Sequence, residues 1–131
     1  MVAYSLCDTV EILREQDVPV TEIRAAGGGA VSPLWRQIQA DIFRTAVVTT
    51  NVVESPATGA AMMAAVGAGS FSSLKEASDA VVRITSRTEP NDFNMRVYED
   101  YYETYRSLYD TLRQQFTAQA RKVEKWNTRA D

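Results

Sequence analysis

The chain has 131 residues, enough for one domain or one piece of a larger one. A hydrophobic fraction of 45% and a charged fraction of 24% suit a globular protein, and a net charge of −3 argues against a nucleic-acid partner, which needs a basic face. One cysteine, Cys7, and no histidine exclude intrachain disulfides, zinc sites and Ser-His or Cys-His nucleophile pairs.

No window is apolar over about 18 residues, so no membrane span is expected, and a reducing, cytoplasmic setting fits. Val2, Leu6, Val10 and Leu13 recur at helical spacing and predict a helix over residues 2–16. It starts almost at the first residue, which raises the expectation of a chain cut just upstream of a helix. Asp17-Val18-Pro19 ends it, and residues 20–26 read as a short strand. After Gly27-Gly28-Gly29, Ser32 is a good N-cap and Pro33 suits the first helical position. Leu34, Ile38 and Ile42, with Trp35 and Phe43 alongside, give that helix an apolar stripe to about Arg44. Asp41 reads as a helix-surface acid, at solvent or in a salt bridge, rather than as a catalytic base.

Residues 46–53 form a second β-rich segment. Glu54, favoured by the helix dipole, precedes a second Ser-Pro start at Ser55-Pro56. Residues 57–66 are almost all small or apolar, so this helix is expected to be central, with Met62 and Met63 filling the core, until Gly67 and Gly69 stop it. Ser73 and Glu76 have the form of a capping box, predicting a helix over residues 74–83. Residues 85–91 are polar, contain Pro90 and read as loop. Met95, Tyr98, Tyr102, Tyr105, Tyr109, Leu112 and Phe116 then alternate spacings of three and four. They predict an amphipathic helix over residues 94–122 whose aromatic seam faces a core, with residues 120–131 as a frayed tail. Strands alternating with helices imply a parallel or mixed sheet with helices packed on it. Two strands make a poor sheet, so further strands are expected from outside the chain or from a homodimer partner.

The run Ala25-Ala26-Gly27-Gly28-Gly29-Ala30 breaks a strand on bare backbone ahead of a helix, a place where a phosphate can approach the main chain. It is not a Walker A loop, because no Gly-Lys-Ser/Thr follows. A dinucleotide fingerprint would need a third glycine where Ser32 stands and an acid closing the next strand, where Val47-Val48-Thr49-Thr50-Asn51 stands. The residues alone leave open a ligand-free turn and a phosphate cradle. They also leave open a non-catalytic interaction module that uses the tyrosine-rich helix.

The run from Glu22 to Ile42, with Gly27-Gly28-Gly29-Ala30-Val31-Ser32-Pro33-Leu34-Trp35-Arg36-Gln37 at its centre, resembles the second domain of the FGGY carbohydrate kinases, especially the xylulokinase branch. Ser55-Pro56-Ala57-Thr58-Gly59-Ala60-Ala61-Met62-Met63 follows at a suitable distance, and the resemblance extends from Val2 to about Gln119. It implies an α/β fold, a portion of an actin-like (ribonuclease-H-like) ATPase domain with few strands and several packed helices. The family moves the γ-phosphoryl of Mg-ATP onto a sugar hydroxyl across a cleft between two domains. Residues 1–131 would then be the C-terminal part of the second, nucleotide-binding domain. Catalytic base, sugar pocket and most of the Mg2+ site would lie in the missing portion.

Carried over, Gly28, Gly29 and Ala30 would border the adenosine and its α-phosphate, and Gly27 would form the turn. Ser32 would serve the ligand or cap the helix, and Gln37 would line the adenine pocket or face solvent. ATP or ADP would be the ligand, and a ketopentose such as xylulose the acceptor. Pro33 stands where the glycerol-kinase branch has an asparagine touching the base, which leaves the adenine contacts open.

Overall fold

The structure is a computed structural model that describes residues 2–52 and 55–127. Glu54 lies outside the described residues. The chain runs α1 (Val2–Glu15), β1 (Ile23–Arg24), a 3₁₀ turn (Gly28–Ala30), α2 (Pro33–Phe43), β2 (Val47–Thr50), α3 (Ser55–Gly67), α4 (Leu74–Val81), β3 (Ile84–Thr88) and α5 (Asp92–Asn127).

The sheet has the order β1-β2-β3, with β1 parallel and β3 antiparallel to β2. Residues 85–91 were expected as loop, but Val47 pairs with Thr88 and Val48 with Arg87. Ile84-Thr85-Ser86-Arg87-Thr88 escapes a pattern search because it is an edge strand with largely exposed side chains, so no apolar alternation marks it. Its β-branched residues suffice once β2 offers a ladder, and Thr49 Oγ1 adds a 2.7 Å contact to Ser86 Oγ.

The core lies where α1 and α2 meet the sheet. Ala3, Cys7 and Val10 of α1 pack with Ala40, Ile42 and Phe43 of α2 and Val47 of β2. Leu34, expected on the apolar stripe, is 71% exposed; Trp35 and Ile38 turn inward instead. Ionic contacts tie the layer together. Glu11 accepts from Arg14 at 2.6 Å and from Arg44 at 2.8 Å, and Arg44 also reaches Glu99 of α5 at 3.1 Å. Burial pushes the Glu11 carboxyl up, but the two guanidinium groups outweigh it and hold the carboxyl below its usual range.

Asp41 is neither at solvent nor in a salt bridge. It is 1% exposed and accepts from Gln37 Nε2 at 2.7 Å, Asn91 N–H at 2.7 Å and Asn94 Nδ2 at 2.9 Å. Asn91 in turn caps α5 through Phe93 N–H and Asn94 N–H, both at 3.1 Å. The carboxylate is buried because three neutral donors, two of them at the start of α5, replace its water.

Two expectations of burial fail. Among the described residues of α3 none is buried, and Met63 is 59% exposed rather than a core filler. Its described packing partner is the short helix α4, which cannot cover an apolar surface on every side. On α5 the seam is covered only in its first part. Tyr102 and Tyr105 lie 5.6 and 5.5 Å from the Tyr4 ring, whereas Tyr109 is 63% and Phe116 53% exposed. α5 has 36 residues against 14 in α1, so it outruns its cover. Residues 120–127, expected as frayed tail, belong to the helix.

Candidate nucleotide-binding site

The carboxyl ends of parallel β1 and β2 open side by side. Ligands gather at that edge of parallel sheets, where strand ends leave backbone groups unpaired. Here a cavity of about 170 Å³ is bounded by Ala26, Gly27, Ala30 and Val31 on one side and Thr49 and Thr50 on the other.

Gly27 makes the corner, with φ +70° and ψ −163°, a conformation that side chains with a Cβ rarely adopt. The next residues close one 3₁₀ turn, in which Ala30 N–H donates to Gly27 O at 3.1 Å and Val31 N–H to Gly28 O at 3.3 Å. Ala30 N–H is therefore spent inside the turn. Among the described residues the N–H groups of Gly28 and Gly29 remain without a backbone acceptor. A Cβ at Gly27 or Gly28 would meet nothing within 4 Å, so the turn faces open space there. At Gly29 a Cβ would lie 3.3 Å from Trp35 Nε1, so this glycine serves the packing of Trp35.

Ser32 caps α2, its Oγ accepting from Trp35 N–H at 3.3 Å. Gln37 is set apart from the other five candidates. Its amide donates to Asp41 and, at 3.0 Å, to Glu89 O, and it lines neither cavity beside the turn. Those contacts hold its amide between Asp41 and the segment that leads from β3 into α5.

Arg36 was missed. Its Nη1 donates to Ala30 O and, at 3.3 Å, to Val31 O, holding the turn from behind. No local pattern announces this, because the contact depends on how the turn folds back over the helix.

A second cavity, about 530 Å³, lies on the α1 side of the turn, walled by Leu6, Val10, Leu13, Ile23, Trp35 and Phe43. Its wall also includes Glu22, Arg24, Gly29 and Ala30, so the glycine turn borders both cavities. Cys7 lies in the core with its thiol donating to Ile42 O at 3.5 Å, and burial followed by the Glu11 charge pushes its pKa up, away from nucleophilic use. Among the described residues no three His, Cys, Asp or Glu side chains cluster as a metal site, and no helix is long and apolar enough to cross a membrane.

Parallel strands joined by a helix, with a glycine turn at their carboxyl edge, define an α/β architecture. The solved xylulose kinase of Rhodospirillum rubrum superposes with a TM-score of 0.73 at 30% identity, over 88% of this chain and 24% of that one. That likeness makes the fold a portion of the actin-like ATPase fold of the sugar kinases. The sequence model of the FGGY family of carbohydrate kinases, C-terminal domain, matches residues 1–68. The chain belongs to the FGGY family of carbohydrate kinases. It is 36% identical over 113 residues to a xylulose kinase of Staphylococcus epidermidis, covering 86% of this chain and 23% of the relative. It is 35% identical over 109 residues to an autoinducer-2 kinase of Salmonella paratyphi B, covering 83% of this chain and 21% of the relative. The chain thus spans under a quarter of the length of these curated relatives.

Proposed function

We propose that residues 1–131 form the C-terminal part of the nucleotide-binding domain of a two-domain sugar kinase, with ATP or ADP resting on the glycine turn. Adenosine and its α-phosphate lie along Gly27, Gly28, Gly29 and Ala30; Gly27 and Ala30 line the smaller cavity with Val31 and Thr50, and Gly29 and Ala30 line the larger one. ATP supplies the γ-phosphoryl group. The acceptor is the hydroxyl of a ketopentose such as xylulose, by analogy with the names of the xylulose kinase relatives. Mg2+, the sugar pocket and the catalytic base are assigned to portions of such a kinase outside this chain. Phosphoryl transfer rests on positioning and charge stabilisation, so a chain holding only one wall of the nucleotide site does not turn over by itself.

The observation that carries this proposal is the cradle itself. Gly28 and Gly29 keep unspent N–H groups, and open space stands where Gly27 and Gly28 would carry a Cβ. The residues present therefore fit an anion-bearing ligand approaching bare backbone. Gly28→Leu is the decisive variant, because Gly28 has neither a positive φ nor a neighbour to clash with. In calorimetric or NMR titration, the wild-type chain is expected to bind ADP weakly, and Gly28→Leu to lose that binding with its unfolding midpoint unchanged. Equal ADP binding by both would refute the cradle. Gly29→Val is the poorer test, since it disturbs Trp35 first.

The interaction-module alternative has one observation in its favour, the exposed seam at Tyr109 and Phe116. It does not compete for the glycine turn.

A further inference from the structure

Four arginines of known partner, Arg14, Arg24, Arg44 and Arg87, are each in an ion pair with a glutamate. Arg36 has none among the described residues. It spends its Nη1 on two peptide carbonyls instead, Ala30 O at 2.5 Å and Val31 O at 3.3 Å, while its buried Nε finds no acceptor. A partly buried guanidinium without a carboxylate is unusual, since the desolvation of a cation is normally offset by an opposite charge. Carbonyl oxygens give only partial compensation, so a net positive charge remains directly behind the glycine turn.

From this arrangement we infer that Arg36 is a positioning residue for the nucleotide's phosphates. It acts in two ways without touching the ligand. By binding Ala30 O and Val31 O it draws those carbonyls toward α2, which leaves the other side of the turn to the N–H groups of Gly28 and Gly29. Its uncompensated charge also raises the potential of the cradle, where an anion would sit in a partly solvated site with an effective dielectric well below that of water. Trp35 packed against Gly29 and the Ser32 cap fix the start of α2, so the guanidinium is delivered from a rigid helix. This inference rests on the proposal that the turn holds a nucleotide. It goes further by giving the phosphate-bearing part of the ligand its own electrostatic partner.

The test separates charge from shape by comparing adenosine with ADP on the full 131-residue chain. Arg36→Met is expected to weaken ADP about tenfold, the scale of removing a unit charge several ångströms from a partly solvated anion. Adenosine, with no phosphate, should change less than twofold. Arg36→Lys, which keeps the charge, should retain most of the ADP preference over adenosine. Unchanged ADP binding by Arg36→Met, or equal losses for adenosine and ADP, overturns the role given to Arg36. Wild-type chain that binds neither ligand overturns the nucleotide site itself, a distinct result. Should Arg36→Met fail to fold, Arg36→Gln decides on the same comparison, since it keeps a donor for the carbonyls without the charge.

Discussion

α2 and α3 open on the same Ser-Pro pair, yet only one of them is built into the molecule. α2 is the less apolar by composition, but it carries four buried residues, whereas α3 carries none among its described residues. The difference lies in what each helix can offer its neighbours. α2 divides its surface, with Ile42 and Phe43 toward the core and Asp41 and Gln37 toward α5. α3 is mostly small and apolar, and among its described residues no side chain makes a hydrogen bond to a neighbouring element. Burial is decided by complementary partners, not by the average hydrophobicity of a segment.

The sharpest way to break this contrast is to remove the anchor. Asp41→Ala strands three donors around a buried site and is expected to destabilise the chain by about 3 kcal/mol, measured as a drop in the urea midpoint at constant slope. A loss below about 1 kcal/mol would mean that water replaces the carboxylate and that α5 is held by its tyrosines and the Arg44–Glu99 pair. Ser32→Ala removes one cap and should cost about 1 kcal/mol in the same measurement. At the other extreme, Met63→Ala on α3 should change stability by less than about 0.5 kcal/mol, as an exposed position does. A cost of several kcal/mol there would show α3 covered in solution, for instance by a second copy, and the contrast between the helices would fall.

Much of this contrast was legible and part of it was not, for physical reasons. Capping chemistry is local, so Ser32 and Ser73 were readable as N-caps, and Ser73 Oγ does accept from Glu76 N–H at 3.2 Å. The Glu76 carboxylate departs from the capping-box form by accepting from Ser72 N–H at 2.8 Å, one residue earlier. The helical periods of α1, α2 and α5 were equally plain, because side-chain spacing reports the element directly. What covers an element is a tertiary fact. Hence the seam on α5 looked uniform across Tyr102 and Phe116 although only the former packs against the core. Asp41 failed for the same reason, since an acid on a helix reads as solvated until three donors converge on it. At the candidate site the glycines carried their own message in backbone freedom. The guanidinium behind them did not, because nothing in Arg36 distinguishes it from a surface arginine until the turn folds over it.

The unequal cover of α5 also has a mechanical side. From Asp92 to Tyr105 the helix is seated on α1 and α2, a length of about 20 Å, and its remainder extends for about 33 Å at 1.5 Å per residue. Seat and projection together form a lever whose fulcrum is the Asp41 carboxylate and the Tyr4–Tyr102 stack. A tilt of about 10° at that fulcrum swings the far end by roughly 6 Å over this length. Small angular shifts of α2 are therefore magnified at the end of α5, and α2 is the helix that begins at the glycine turn.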